Sequence, residues 1–311
     1  MSRKKADLSS LEGVGPKTFE KLMELGITSL EHLSEFTAEE LAEAGIEYER
    51  AVKLLQQVLQ KVGGVKAVTF GEFRQRQVKT FKTGLVEFDE KTPWRGIREG
   101  FIYEFAGEYG TGKSMFAHQL AVVGLKEGFT ARVVYIDTEG TFNPTLVETI
   151  ARRFGVEIER LDTSLVLYQP ANVMQLEQIV KYDIPRHIQE GCRLVIIDTI
   201  TALYRAEFPG REMLAARQQR IHYLVDWLRR HARTFGVTSI LANQVMDVPE
   251  IFAGGVKRPA GGNVLAHTVN ARFMMVRPNK AKLEGYMWPL DVPGMAPDVR
   301  IEYRITEAGL E

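Results

Sequence analysis

An eight-residue segment from Gly107 to Ser114 has the residue types and spacing of a phosphate-binding loop. It reads Gly-Glu-Tyr-Gly-Thr-Gly-Lys-Ser and matches the P-loop pattern G-x-x-x-x-G-K-[ST]. Glycines let successive backbone N–H groups turn toward a phosphate, a lysine can reach the β- and γ-phosphates, and a serine hydroxyl can bind Mg²⁺. We expect the whole loop to hold a nucleoside triphosphate: Gly107, Glu108, Tyr109, Gly110, Thr111, Gly112, Lys113 and Ser114.

The residues around this loop predict the elements that hold it. Apolar residues 101–105 precede the loop and an amphipathic run at 115–125 follows it, which predicts a strand–loop–helix unit. Strands are also predicted at 131–137, 165–168, 194–198, 237–243, 272–276 and 299–305, with helices at 145–154, 172–190 and 211–235. This alternation is typical of an α/β fold with a mostly parallel central sheet covered on both faces.

Polar residues at the ends of these strands are candidates for metal binding and catalysis. Asp198 follows four apolar residues, which is typical of the acid that holds the Mg²⁺ shell, and Glu139 follows the strand after the P-loop helix. Gln244 directly follows the predicted strand at 237–243, where its side chain could sense a γ-phosphate. The alternative for the two acids is that each caps the helix that follows it.

Two glycine-containing basic segments are candidates for contact with a nucleic-acid backbone. The first, 204–214, carries Arg205 and Arg211, and Arg217 lies on the helix after it. The second, 245–263, is long for a compact domain and contains Lys257, Arg258, Gly261 and Gly262. Arginines can bind phosphates and glycines allow close approach, but the same composition fits two solvated surface loops.

The overall composition bounds the class of protein. The 311 residues are 45% hydrophobic, and 40 basic residues balance 40 acidic ones. Any nucleic-acid contact must therefore come from local patches. The sequence shows no membrane-spanning run and no signal peptide, and its single cysteine excludes an intramolecular disulfide framework, so we expect a cytoplasmic protein.

Residues 1–62 are predicted to form a small all-α domain. Residues 11–17 read Leu-Glu-Gly-Val-Gly-Pro-Lys and precede a helical pattern, and a weaker copy of this hairpin is predicted at 44–62. The Gly-Val-Gly turn could present backbone amides to a DNA phosphate, as in helix-hairpin-helix modules. The other interpretation, a packing or protein-interaction domain, is favoured by the 8 basic and 11 acidic residues in 1–61, a net charge of −3.

Residues 63–80 are predicted to link this domain to the core at 81–311. They include Phe70 and Phe73, and two aromatic residues are seldom needed in a flexible tether. Either these rings cover the core of the same chain or they dock, as a strand, on a neighbouring copy.

Several motifs together resemble the archaeal RadA recombinases of the RecA-type strand-exchange family. The resemblance covers most of the chain and rests on the 11–16 hairpin, the P-loop and these segments: Tyr-Ile-Asp-Thr-Glu-Gly-Thr-Phe (135–142), Arg-Ala-Glu-Phe (205–208), Ala-Arg-Gln-Gln (216–219), Asn-Gln-Val-Met (243–246) and Gly-Gly-Asn-Val-Leu-Ala-His (261–267). It implies a RecA-like P-loop core and a DNA-dependent ATPase that requires ATP and Mg²⁺.

The resemblance also implies roles for individual residues. Glu139 would be the catalytic carboxylate, assisted by Lys113 and Gln244. ATP would lie between neighbouring protomers of a filament or ring, with Asn143 against adenine and the neighbour contributing further contacts: His267, Asp291 and Pro293. The implied partners are single- and double-stranded DNA, further copies of the chain and recombination accessory proteins, in a nucleoid-associated protein.

Several positions depart from the family pattern and leave two functions open. Trp94-Arg95-Gly96 replaces a glycine run before the P-loop strand. Phe73 stands where the linker motif Phe-x-x-Ala has alanine, Asn143 replaces an arginine that lies against adenine, and Val248 replaces an arginine in the second DNA loop. A filament-forming recombinase is favoured by the two DNA loops, His267 and the N-terminal domain. The substitutions favour a RadA paralogue, an ATP-binding mediator that does not exchange strands itself.

Overall fold

The computed structural model describes residues 8–63, 67–247 and 257–311. Packing divides the chain into two compact units. Unit 1 comprises the chain up to Gln77 together with Ile179–Gln189, and unit 2 comprises Val78–Gln178 and Glu190–Glu311. The inclusion of 179–189 in unit 1 has no sequence signal, because the pattern predicts one continuous helix over 172–190.

Unit 1 consists of short helices, as the sequence predicts. They are a 3₁₀ turn (Leu8–Ser10), α1 (Pro16–Glu24), α2 (Leu30–Leu33), α3 (Ala38–Glu43), α4 (Tyr48–Val62), α5 (Phe70–Gln75), a π-helical turn (Ile179–Asp183) and α11 (Ile184–Gln189). Local capping fixes their starts: Pro16 begins α1, and Thr37 and Glu40 form a reciprocal capping box on α3. Leu22, Leu33 and Leu54 are among the buried core residues.

The hairpin loop before α1 is held from behind by α4. Glu12 N donates to Gln57 Oε1 at 2.7 Å, Gln57 Nε2 donates to Glu12 O at 3.0 Å, and Lys61 Nζ donates to Ser10 O at 2.6 Å. Gly13 has a φ of 86°, and a Cβ added there would meet nothing within 4 Å. The loop is therefore fixed on the side that contacts α4, and there is free space at the Cβ position of Gly13, which we call its outer side.

Unit 2 is built on a sheet whose central strands are parallel. The strands are β3 (Ile102–Gly107), β4 (Arg132–Asp137), β5 (Leu165–Tyr168), β6 (Cys192–Asp198), β7 (Thr238–Asp247), β8 (Lys257–Pro259), β9 (Ala271–Val276), β10 (Glu284–Asp291), β11 (Ile301–Thr306) and β12 (Gly309–Leu310). Their order across the sheet is β12-β11-β10-β9-β3-β7-β6-β4-β5, with β8 paired to β7. A separate ribbon pairs β1 (Thr80–Phe81) with β2 (Ile97–Arg98).

The parallel strands are buried because helices cover them. The helices are α6 (Val86–Lys91), α7 (Lys113–Lys126), α8 (Pro144–Phe154), α9 (Ile158–Ser164), α10 (Val173–Gln178), α12 (Ala202–Glu207), α13 (Leu214–Phe235) and α14 (Gly262–Thr268). All six residues of β3 are buried, and both α7 and α13 pack on β3 and β7. The predicted α/β class, with a mostly parallel central sheet and a small all-α N-terminal domain, is confirmed.

The antiparallel side of the sheet contains two strands that the sequence does not predict, β10 and the two-residue β12. β10 includes Gly285 and Pro289, both of which weaken a strand pattern. The structure explains both residues: a Cβ at Gly285 would lie 2.6 Å from the Tyr303 ring, and the register shifts between Pro289 and Asp291. Within the described part of the chain, no helix has the length and apolar character needed to cross a bilayer.

Candidate functional site

The P-loop connects β3 to α7, in the strand–loop–helix context that the sequence predicts. Gly110 and Gly112 have φ angles of 78° and 94°, which side chains other than glycine rarely adopt. A Cβ at Gly107 would lie 2.6 Å from both the carbonyl oxygen of Met275 and Thr111 Oγ1. Two glycines are therefore required by backbone conformation, and Gly107 by close packing.

Lys113 is buried and folds back over the loop. Its Nζ donates to the carbonyl oxygens of Gly107 at 2.8 Å and Glu108 at 2.7 Å. Burial lowers the pKa of Lys113, and the negative charges of Asp198, Glu139 and Glu108 oppose that shift. The lysine thus lies in the electrostatic field of the carboxylates that the sequence assigns to the same site.

Residues in or beside the antiparallel strands support the loop from outside, and sequence reasoning gave none of them this role. The Tyr303 hydroxyl donates to the carbonyl oxygen of Thr111 at 2.6 Å, and Arg277 donates to that of Gly110 at 2.8 Å. Glu108 pairs with Lys257 at 2.5 Å and with Lys280 at 3.4 Å, and these cations lower its pKa. No motif marks these residues, because each contact joins distant parts of the chain.

Asp198 is buried at the end of β6 and has one oxygen available. Its Oδ2 accepts from the Tyr135 hydroxyl at 2.9 Å, whereas Oδ1 has no hydrogen-bond partner among the residues that the structure describes. Ser114 is half-buried in the first turn of α7. No cluster of three or more His, Cys, Asp or Glu in the described ranges could hold a metal by itself. A buried carboxylate oxygen and a hydroxyl fit Mg²⁺, which usually keeps several waters and phosphate oxygens among its ligands.

Glu139 takes part in a line of hydrogen bonds that extends to the first basic segment. Its Oε1 accepts from Thr199 Oγ1 at 3.0 Å and from Gln244 Nε2 at 2.6 Å. Gln244 Oε1 in turn accepts from Arg205 at 3.1 Å. The structure therefore brings together the predicted catalytic carboxylate, the predicted phosphate sensor and a predicted DNA contact.

Asp137 orders the segment that carries Glu139. Its carboxylate accepts from the backbone N–H groups of Glu139 at 3.1 Å, Thr141 at 3.2 Å and Phe142 at 2.9 Å, and from Gln169 Nε2 at 3.0 Å. Burial acts to raise the pKa of Asp137, but these donors outweigh it and lower the pKa. We did not assign Asp137 from the sequence, although its position at the end of a buried strand is a usable signal.

A buried polar network fixes the end of the second basic segment. Asn243 Nδ2 donates to Glu104 Oε1 at 2.6 Å and to the carbonyl oxygen of Ala260 at 2.7 Å, and Asn243 Oδ1 accepts from Thr201 at 2.9 Å. Glu104 is fully buried and also pairs with Arg272. Because Ala260 follows β8 directly, this network holds β8 beside β7.

The first basic segment is partly helical rather than a loop throughout. Arg205 lies on α12, and only residues 208–213 form the connection to α13. Arg217 donates to the carbonyl oxygen of Phe208 at 3.0 Å and so braces this connection. Arg211 is exposed. DNA contact by these arginines remains a prediction.

The second basic segment is described only at its ends. Lys257 and Arg258 lie exposed on β8, and residues 248–256, including Val248, lie outside the described residues. Gly261 and Gly262 have φ angles of 90° and 58° at the start of α14. A Cβ at Gly262 would lie 2.8 Å from Gln218 Nε2, so this turn packs tightly against α13.

The residues predicted to contact nucleotide outside the P-loop, including those of a neighbouring protomer, lie on the surface. Asn143, His267, Asp291 and Pro293 are all exposed. Asn143 already has a structural task, because its Oδ1 accepts from Leu146 N at 3.1 Å and caps α8. Nucleotide contact by these four residues stays a prediction.

The linker aromatics lie on a helix of unit 1. Phe70 and Phe73 are 80% and 56% exposed on α5, whose start is fixed by a capping box between Thr69 and Glu72. The segment that was predicted to dock as a strand on a neighbouring copy therefore forms a helix in this structure. Self-association through these rings remains a prediction.

Two families match the two parts of the chain. The family described as Rad51 matches residues 73–311, and that described as a SAM-like helix-hairpin-helix tandem matches residues 5–58. The tandem match agrees with the two hairpins that the sequence predicts. The Rad51 match includes the P-loop and every predicted ATPase and DNA-loop residue.

Full-length relatives agree with these matches. "DNA repair and recombination protein RadA" of Aeropyrum pernix is 33% identical over 310 residues, which cover 98% of this chain and 96% of the relative. The protein of the same name from Ignicoccus hospitalis is 31% identical over 319 residues, covering 99% and 96%. The chain therefore belongs to the Rad51 family of RecA-type recombinases and is an archaeal RadA-type member.

Proposed function

We propose that this protein is an ATP-dependent DNA recombinase that forms filaments on single-stranded DNA and exchanges strands with homologous duplex DNA. The observation that carries the proposal is the convergence at the P-loop: Lys113 lies in the field of Asp198 and Glu139, and Glu139 is hydrogen-bonded to Gln244. The names of both relatives, which match over nearly their full lengths, support the same conclusion.

ATP binding would use the P-loop and α7. When nucleotide enters, Lys113 exchanges the carbonyl oxygens of Gly107 and Glu108 for β- and γ-phosphate oxygens. The N–H groups of the loop and the start of α7 supply further positive potential. Ser114 and Asp198 Oδ1 would hold Mg²⁺, which neutralises charge on the phosphates when it is bound.

Hydrolysis would use Glu139 to orient the attacking water. Both hydrogen bonds to this carboxylate end on Oε1, and Oε2 accepts none from the described residues, so Oε2 is the oxygen available to a water molecule. Asp137 keeps Glu139 in place through the backbone of 139–142. Gln244, at the end of β7, would respond to the γ-phosphate.

DNA contact would use the basic residues next to this site. Arg205 and Arg211 from the first segment, and Lys257 and Arg258 from β8, are exposed cations that could neutralise backbone phosphates. The open outer face at Gly13 offers a further phosphate contact in unit 1.

Assembly would place ATP between copies of the chain. His267, Asp291 and Pro293 are exposed, as a contact to a neighbour's nucleotide requires. Because ATP would then bind two copies at once, its binding stabilises the assembled form by mass action. The rings of Phe70 and Phe73 are exposed apolar surface that a neighbouring copy could bury.

Electron microscopy of the purified protein with single-stranded DNA, Mg²⁺ and ATP tests this assembly. Continuous helical filaments that disappear without ATP are expected. Discrete particles or short rings, with ATP binding verified separately, would contradict filament formation.

A second function, an ATP-binding mediator without strand exchange, is favoured by one observation. Phe73 is bulky where the family's linker motif has alanine, and it lies on a capped helix rather than on a strand. Phe73→Ala tests it, with Phe70→Ala as the matched control. Filaments formed only by Phe73→Ala would support the mediator, whereas wild-type filaments lost in Phe70→Ala would support the recombinase.

A further inference from the structure

Arg205 contacts the ATPase site, although the sequence assigns it to DNA. It is exposed on α12, and its guanidinium donates to Gln244 Oε1 at 3.1 Å. Among the residues that the structure describes, Arg211, six residues further along the chain, has no such contact with Gln244. The two arginines of the same segment are therefore not equivalent.

Both the nitrogen and the oxygen of the Gln244 side-chain amide are hydrogen-bonded in this arrangement. Nε2 donates to Glu139 Oε1 at 2.6 Å while Oε1 accepts from Arg205. An amide held at both ends has one preferred rotamer, and here that rotamer directs Gln244 at the carboxylate. Gln244 turns toward a γ-phosphate only after it gives up this arrangement.

A DNA phosphate would compete with Gln244 for Arg205. The Gln244 oxygen is a neutral acceptor, whereas a phosphate carries a full charge and can accept two parallel N–H bonds from a guanidinium. The phosphate is therefore the stronger partner. When it takes Arg205, Gln244 Oε1 loses its donor and the amide is free to rotate.

We propose that Arg205 is a positioning residue that restrains hydrolysis in the absence of DNA by holding Gln244 against Glu139, and that DNA relieves this restraint by taking its guanidinium. The inference rests on the proposed ATPase function and adds the element that couples DNA to it. Because binding couplings are reciprocal, ATP also changes the affinity of Arg205 for DNA.

ATP hydrolysis by the full-length protein tests this role, with saturating oligo-dT and without DNA. Arg205→Ala is expected to raise the DNA-free kcat about three- to tenfold, as expected for the loss of one hydrogen bond. Its KM for ATP should stay within about twofold, because Arg205 touches no residue of the P-loop. The ratio of DNA-stimulated to DNA-free kcat should fall by the same factor as the DNA-free rate rises.

Two matched variants separate this role from DNA contact and from general damage. Arg211→Ala should need a higher DNA concentration for half-maximal stimulation of ATP hydrolysis. At saturating DNA, its ratio of DNA-stimulated to DNA-free kcat should equal that of the wild type. Arg233→Ala, an exposed arginine near the end of α13, should behave as wild type.

Three results would overturn the inference. An unchanged or lower DNA-free kcat in Arg205→Ala would show that Arg205 does not restrain Gln244, while the proposed ATPase would stand. A raised KM for ATP with unchanged kcat would assign Arg205 to nucleotide binding instead. A wild-type protein that hydrolyses no ATP would overturn both this inference and the proposed function.

Discussion

The hydroxyl of Tyr303, on β11, donates a hydrogen bond of 2.6 Å to the carbonyl oxygen of Thr111, 192 residues earlier in the P-loop. Tyr303 is buried, and burial raises its pKa far above the ordinary value, so the hydroxyl remains a donor at any working pH. The antiparallel side of the sheet thus fixes the conformation of the loop that would receive phosphate.

Tyr303→Phe should weaken nucleotide binding. The change leaves a buried carbonyl without its donor, which costs about 1–3 kcal/mol, or roughly 5- to 150-fold if all of it falls on the nucleotide-competent loop. Titration with a fluorescent ATP analogue measures the effect. Tyr286→Phe, on the neighbouring β10, is the matched control; equal affinities for both variants would refute the role assigned to Tyr303.

Lys113→Ala should abolish ATP-dependent DNA binding while the fold remains intact. The variant removes a charge-assisted donor worth about 1.5–3 kcal/mol and the positive charge that interacts with Asp198 and Glu139. DNA affinity with and without ATP, together with circular dichroism, measures both effects. Lys126→Ala, in the last turn of α7, should keep ATP-dependent binding. Persistence of that binding in Lys113→Ala would exclude the P-loop from the mechanism.

Replacing Lys257 and Arg258 together by Ala should reduce the salt dependence of DNA binding. If both side chains neutralise phosphates, the slope of log K against log salt falls by up to about two units. Lys257 pairs with Glu108, so breaking this exposed ion pair offsets part of the free energy that Lys257 gains by binding a phosphate. A double replacement of the exposed Lys82 and Lys126 is the control, and an unchanged slope would assign β8 to ordinary solvated surface.

His118 should make stability fall on acidification. Its Nδ1 donates to the carbonyl oxygen of Ser114 and its Nε2 accepts from Asn143 N at 3.4 Å, which is an arrangement of the neutral ring. Burial lowers the pKa of His118 from 6.5, against the opposing effects of the Ser114 carbonyl and of Asp198 and Asp137. Below pH 6.5 the unfolded chain takes up a proton that the folded chain does not, so the free energy of unfolding decreases by up to about 1.4 kcal/mol per pH unit.

Denaturant unfolding of wild type and His118→Gln between pH 5 and pH 8 measures this contribution. The difference in the free energy of unfolding between the two proteins should be constant above pH 7. Below pH 6.5 it should change, because the wild type loses more stability than the variant. Parallel curves over the whole range would mean that His118 protonates equally in the folded and unfolded states.

Local patterns in the sequence were sufficient for the centre of the candidate site. Gly107–Ser114 has a fixed spacing, and Asp198, Glu139 and Gln244 follow buried strands whose carboxyl ends must meet at one edge of a parallel sheet. The class of fold followed from the same strand–helix alternation. These features are predictable because neighbouring residues along the chain determine them.

The supports of the site could not be predicted, because they depend on contacts between distant segments. Tyr303 lies on β11 and Arg277 directly follows β9, and neither carries a motif. Glu104 is a charged residue within an apolar strand. Its partners, Asn243 and Arg272, lie on β7 and β9, so its role in a buried polar network is visible only in the folded structure. By contrast, the helix that carries the linker aromatics could have been predicted from local sequence. Thr69 and Glu72 have the spacing of a capping box, which is a local signal for the start of a helix.

The most direct test of the account is strand exchange between single-stranded DNA and a labelled homologous duplex, with Mg²⁺ and ATP. The account predicts a displaced labelled strand with the wild-type protein, no product without ATP and none with Lys113→Ala. Absence of product from a wild-type protein that binds DNA and hydrolyses ATP would contradict the recombinase and assign the chain to the accessory class.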